Sequence, residues 1–220
     1  MTPAQRTRLA VVALVLLSVS GAVLAHYAIA VGHAPTLGAL LALAPAAAIA
    51  AVALRRAKRR APLLLAIAAT ALFAWAGWDA LERRFPDVFF LEHVGTNLLL
   101  GAMFGRTLAG ECEPLCTRFA RLLHGPLSPE ETLYSRQVTL AWTLFFLGLA
   151  ALSSVLYLGG QVAAWSVLAN LLTLPLVAAM FAVEYAVRRR VLPGRERASI
   201  LDGLLAFWRH SGTAPSEAPR

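Results

Sequence analysis

Cysteine and acidic side chains are scarce in this 220-residue chain, which has two cysteines and twelve Asp and Glu against twenty Lys and Arg. Cys112 and Cys116 cannot build the disulfide framework that supports many small secreted domains. Charged residues make up 15% of the chain, against about 25% in a typical soluble domain. Catalytic strings are missing as well. There is no His-Glu-x-x-His, no glycine-rich phosphate loop and no Ser/His/Asp signature. The sequence therefore assigns no cofactor and no resident metal. Glu111-Cys112-Glu113-Pro114-Leu115-Cys116 comes nearest to a metal site, but it lacks the second Cys or His pair that zinc requires.

What the chain has in abundance is apolar sequence, 59% of its residues. Its mean hydropathy is +0.66. The apolar residues gather into about six stretches: Leu9–Val31, Leu37–Leu54, Pro62–Ala80, Val88–Thr107, Val138–Leu158 and Val162–Val187. Each is long enough as a helix to cross a hydrocarbon core of roughly 30 Å. Backbone groups in lipid must be satisfied within helices or closed barrels. The fold class is thus all-α, a polytopic transmembrane bundle occupying 1–193. The first stretch also has the outline of a secretory signal, with Arg6 and Arg8 ahead of it and Val23-Leu24-Ala25 as a cleavage site. Its apolar run continues to Val31, longer than a signal core.

Net charge is +8. The basic residues sit at the ends of apolar stretches, as in Arg55-Arg56-Ala57-Lys58-Arg59-Arg60 and Arg188-Arg189-Arg190. Such runs mark cytoplasmic ends and contacts with anionic lipid, not a nucleic-acid partner. The connections at Gly32–Thr36 and Gly159–Gln161 carry no charge. Both termini and the 105–137 connection are therefore placed on the cytoplasmic side of a bacterial inner membrane.

Two smaller elements are also legible. Within the long connection, Leu115, Phe119 and Leu122 fall at helical spacing, and His124-Gly125-Pro126 stops that helix. Ser128-Pro129-Glu130-Glu131 is a capping box followed by a new helix. In the segment 194–220, Ile200, Leu201, Leu204, Leu205 and Trp208 form one stripe. This predicts an interfacial amphipathic helix over Ser199–Arg209, then a disordered tail from Ser211 to Arg220.

Ionisable residues concentrate where the third stretch turns into the fourth: Asp79, Glu82, Arg83, Arg84, Asp87, Glu92 and His93. A short turn there would fold Glu92 and His93 back beside Asp79 and Arg83, with His26 able to join. Asp79, Glu92 and His93 are then candidates for acid–base work. The competing explanation is a self-neutralising charge cluster that pins a helical hairpin. Asn97 and Asn170 each open an Asn-Leu-Leu run near mid-membrane. They are read as interhelical hydrogen-bonding groups or as ligand contacts. Glu184, near the inner end of the last stretch, is expected to pair with the arginines beyond it. Trp75, Trp78, Tyr157 and Trp165 are placed as outer-interface anchors.

One further pattern is specific. Pro126-Leu127-Ser128-Pro129-Glu130-Glu131, Tyr134-Ser135-Arg136, Leu140-Ala141-Trp142-Thr143-Leu144-Phe145-Phe146 and the closing Tyr185–Pro193 resemble the bacterial intracellular septation protein A family. The likeness covers roughly Phe85 to Pro193. The whole chain is also similar to small inner-membrane proteins encoded beside aryl-polyene pigment genes. That resemblance implies a cell-envelope role and transfers no catalytic residue. The expectation is a non-enzymatic membrane protein that supports envelope assembly or a lipid/polyene pathway through protein partners and anionic lipids. The rivals are an intramembrane enzyme for an acyl chain or lipid, and a small transporter or flippase subunit.

Overall fold

The structure is a computed structural model that describes residues 3–31, 34–57, 60–110 and 112–192. The amphipathic helix expected over Ser199–Arg209 and the tail from Ser211 lie outside the described residues. Among those residues the regular structure is entirely helical: α1 Pro3–Val31, α2 Pro35–Arg56, α3 Ala61–Ala76, α4 Trp78–Gly105, α5 Leu115–His124, α6 Pro129–Leu158, α7 Val162–Ser166 and α8 Thr173–Val191. A π-helical turn, Val167–Leu172, joins α7 to α8 without a break.

Four of these stretches are long and apolar enough to cross a membrane: Pro35–Arg56, Trp78–Leu108, Pro129–Leu158 and Val162–Val191. In α1 the apolar part is Val15–Ala30, and α3 has 16 residues. At 1.5 Å per residue α3 is about 24 Å long, shorter than a hydrocarbon core. Large apolar side chains are exposed on these helices. Phe73 is 82% exposed, Leu17 72% and Val155 70%. Surfaces of that kind suit lipid as solvent rather than water.

Local signals explain several boundaries. Pro35 and Pro62 lie in the first turns of α2 and α3, where the missing N–H removes no helical bond. At the start of α6, Ser128 N donates to Glu131 Oε2 at 2.7 Å and Glu131 N donates to Ser128 Oγ at 3.3 Å. That reciprocal pair is the capping box expected from sequence. Gly125 ends α5 at φ 75°, a conformation that glycine adopts without a Cβ clash.

The turn between the third and fourth apolar stretches differs from expectation. It falls at Gly77, and Trp78 already opens α4. The charged segment therefore starts in helix at Trp78, and the bend expected within it is a break between two helical pieces. Arg84 breaks that helix with φ −122° and ψ 18°. Pro86 is the cause: it lacks an N–H, and its ring clashes with the carbonyl four residues earlier.

The chain divides into two compact units, Met1–Ala102 with Leu144–Ala178, and Met103–Thr143 with Ala179–Arg220. In the first, Ala28, Ala39, Ala42 and Phe85 form a buried cluster, flanked by Ile29, Trp78, Leu81, Val88 and Phe89. Alanines at the α1–α2 contact let the two helices approach closely, the usual basis of packing in lipid. The Phe85 ring lies over Gly38, where a side chain would occupy the ring's place. Two carboxylates of α4 take hydroxyl protons from neighbouring helices: Thr36 donates to Glu82, and Tyr157 donates to Asp87.

In the second unit, hydroxyls hold α5. Leu115 N donates to Thr107 Oγ1 at 3.0 Å and Cys116 N to Thr139 Oγ1 at 3.1 Å, which satisfies two otherwise orphaned first-turn amides. Thr117 and Ser135 hydroxyls meet at 2.7 Å, both buried. Trp142 packs on Phe181 with centroids 4.7 Å apart.

Candidate functional site

α4 begins with charged residues, and its middle turns carry polar residues within an apolar stretch. His93 is held there by a directed hydrogen-bond chain. The Trp165 indole N–H donates to Ser153 Oγ at 2.8 Å, and Ser153 Oγ lies 3.0 Å from His93 Nδ1. His93 Nε2 lies 3.0 Å from Thr173 Oγ1, and Thr173 Oγ1 donates to the Leu168 carbonyl at 2.9 Å. The Thr173 proton is spent on a carbonyl, which can only accept, so Nε2 carries the hydrogen and donates to Thr173. In a neutral imidazole Nδ1 then accepts from Ser153, and the tautomer is Nε2–H.

The π-helical turn makes this possible. Its register places Thr173 five residues after Leu168, where its hydroxyl bonds that residue's carbonyl. Such single turns are rare and often mark functional positions. Trp165 is fully buried, with Tyr157 edge-on at 4.9 Å and Phe90 at 6.2 Å. It is an interior donor and not the outer anchor expected from sequence.

The two asparagines turn back onto their own helices. Asn97 Nδ2 donates to the His93 carbonyl at 2.8 Å. It also lies 3.4 Å from Nε2, a nitrogen that already donates. Asn170 Nδ2 donates to the Ser166 carbonyl and to Ser166 Oγ, both at 3.1 Å. Neither amide nitrogen bridges two helices, because the nearest acceptors are backbone carbonyls four residues earlier. Ser166 Oγ accepts from Asn170 and lies 3.0 Å from His26 Nδ1. His26 therefore meets Ser166 of α7 and not the Asp79 cluster.

Beside His93 is a cavity of about 300 Å³ within the first unit. Glu92, His93, Thr96, Asn97, Asn170 and Thr173 supply its polar lining. Phe89, Leu100, Phe146, Ala169 and Val177 supply the apolar one. Its composition is that of a small-ligand site, mostly apolar with a few convergent polar groups. Glu92 is half-buried, and among the described residues no hydrogen bond or ion pair engages its carboxylate.

Other members of the expected cluster are dispersed. Asp79, Arg83 and Arg84 are exposed, and Asp79 stands fourteen residues before His93 on the same kinked helix. No ion pair forms among Asp79, Glu82, Arg83, Arg84, Asp87 and Glu92 in the described residues. Asp79 does not line the cavity, so the sequence-derived grouping Asp79/Glu92/His93 is reduced to its last two members. In the second unit, Glu184 pairs with Arg188 at 3.6 Å and accepts the Tyr134 hydroxyl at 3.3 Å. No group of three or more His, Cys, Asp or Glu among the described residues is arranged to hold a metal ion.

Sequence reading missed Ser153, Ser166 and Thr173, and gave Trp165 a different role. Isolated hydroxyls in apolar helices commonly bond their own backbone, so nothing in their spacing distinguishes them. No family model matches the chain, and no match is found among curated proteins or solved structures.

Proposed function

We propose that the chain is a six-helix integral protein of a bacterial inner membrane that binds an amphiphilic ligand and acts through it without catalysis. The cavity in the first unit carries this reading, because a mostly apolar lining with several polar side chains matches a chain with a small head group. Both nitrogens of His93 are engaged by Ser153 and Thr173. That arrangement suits a residue that shapes the site better than a proton acceptor in a reaction. The setting, envelope assembly or a lipid/polyene pathway with protein partners and anionic lipid, is taken from the septation-protein resemblance of Phe85–Pro193.

Purified protein should retain a defined lipid or polyene-like amphiphile, identified by mass spectrometry. Leu100→Trp, which fills the cavity, should lose that molecule while keeping its helical circular dichroism. Identical bound-lipid profiles for the two proteins would overturn the reading.

Six spans and cytoplasmic termini put the 105–137 connection inside the cell, and the native cysteines test this. Cys112 is exposed. Burial pushes the Cys116 thiol up from its ordinary value, with the Glu184 charge adding to the rise and the Thr139 hydrogen bond opposing it. A raised pKa means less thiolate at any given pH, hence slower alkylation. A membrane-impermeant maleimide should label Cys112 in inverted vesicles but not in intact cells, and Cys116 much more slowly. Labelling of Cys112 in intact spheroplasts would reverse the orientation.

A further inference from the structure

We infer that the cavity selects a ligand carrying a primary ammonium group, bound by Glu92. This rests on the amphiphile reading and names the chemistry of the head group. The Glu92 carboxylate, unpaired among the described residues, decides it, together with the unused hydrogen-bonding capacity beside it. On the donor side, one Asn97 N–H is committed to the His93 carbonyl and both Asn170 N–H groups to Ser166, while the second Asn97 N–H and the Thr96 hydroxyl have no acceptor among the described residues. His93 Nε2–H is committed to Thr173, and the Thr173 proton to Leu168. The lining residues therefore offer more acceptors than donors: both oxygens of the Glu92 carboxylate and the side-chain carbonyls of Asn97 and Asn170, against one Asn97 N–H and the Thr96 hydroxyl. The asparagine orientations follow from their partners, since a backbone carbonyl can only accept.

A site offering acceptors and one negative charge matches a head group that is positive and rich in N–H donors. An ammonium supplies three donors. A carboxylate or sulfate supplies none and would meet Glu92 as a like charge. Phe89 and Phe146 in the same wall add aromatic surface, which favours a nearby cation. The recognition must be local, because the chain as a whole has a net charge of +8 and repels cations at long range. Unpaired carboxylates at membrane depth are costly and commonly mark ligand or ion sites.

The test uses the full chain in maltoside detergent, titrated with dodecylamine, dodecanol and dodecyl sulfate. Wild type should bind dodecylamine most tightly and dodecyl sulfate least. Glu92→Gln keeps the shape and removes the charge. It should bind dodecylamine roughly tenfold to a hundredfold more weakly, with dodecanol unchanged as the check that the cavity is still folded. Dioleoylphosphatidylethanolamine against dioleoylphosphatidylglycerol then distinguishes an aminophospholipid from a free long-chain amine as the source of the ammonium. Equal dodecylamine binding by wild type and Glu92→Gln, or preference for dodecyl sulfate, would overturn the ammonium assignment while leaving the amphiphile reading intact. Failure of both dodecanol and dodecylamine to bind would overturn that reading as well.

Discussion

Gly38→Ala should destabilise the protein by about 1–3 kcal/mol, the range for forcing an extra group into a packed interior. A Cβ at position 38 would lie inside contact distance of three carbons of the Phe85 ring. That ring is buried among Ala28, Ala39 and Ala42, so it cannot simply swing away. Either α2 shifts or Phe85 leaves its rotamer. Because the damage runs through one neighbour, the effects of Gly38→Ala and Phe85→Leu should not add. The double variant should be at least ~0.5 kcal/mol more stable than the sum of the single losses predicts. Unfolding in mixed detergent micelles measures all three proteins. Strict additivity, or a neutral Gly38→Ala, would mean that α2 and α4 do not meet at this point.

His93→Ala should lower stability by about 1–3 kcal/mol, from two side-chain hydrogen bonds and a lost ring. Polar contacts between membrane helices average about 0.6 kcal/mol and reach about 1.7, and the cavity left behind adds to this. The imidazole links Ser153 on α6 to Thr173 at the start of α8. Its removal strands the Ser153 proton and one acceptor site of Thr173. Ser153→Ala and Trp165→Phe, which cut the chain nearer its donor end, should each cost less than His93→Ala. Nitrogen-15 spectra of histidine-labelled protein give a readout that packing alone would not move. His93 should appear as the neutral Nε2–H tautomer and should change its Nδ1 signal in Ser153→Ala. A neutral Nδ1–H tautomer would contradict a chain that donates from Trp165 through Ser153 and His93 to Thr173.

The helices were legible because lipid leaves few alternatives. Apolar runs of spanning length, separated by short charged or glycine-containing breaks, can satisfy their backbones only as helices. Local chemistry was equally readable where one residue decides it. Ser128 and Glu131 cap α6 as their spacing indicates, and Gly125 ends α5. The position of the third turn was not. Residues 81–87 read as the connection between two spans, and a helix break does fall there, at Arg84, but an earlier break at Gly77 carries Asp79 into α4. Polarity marks what tolerates water and does not by itself say where a helix ends.

The candidate site was half legible. Glu92, His93, Asn97 and Asn170 stood out because ionisable and amide groups are costly in lipid, and the structure gathers all four around one cavity. Their partners did not stand out. Ser153, Trp165 and Thr173 complete the His93 chain from α6, α7 and α8, at separations that no local pattern encodes. Helix content and the polar positions within apolar helices follow from the order of residues alone, since both depend on transfer between water and lipid along one segment. Packing of the helices settled the rest: Asp79 stays clear of the cavity, the asparagine nitrogens turn back on their own helices and Glu92 has no partner among the described residues. Those outcomes depend on helix rotation and on one π-helical turn, which are set by how neighbouring helices pack.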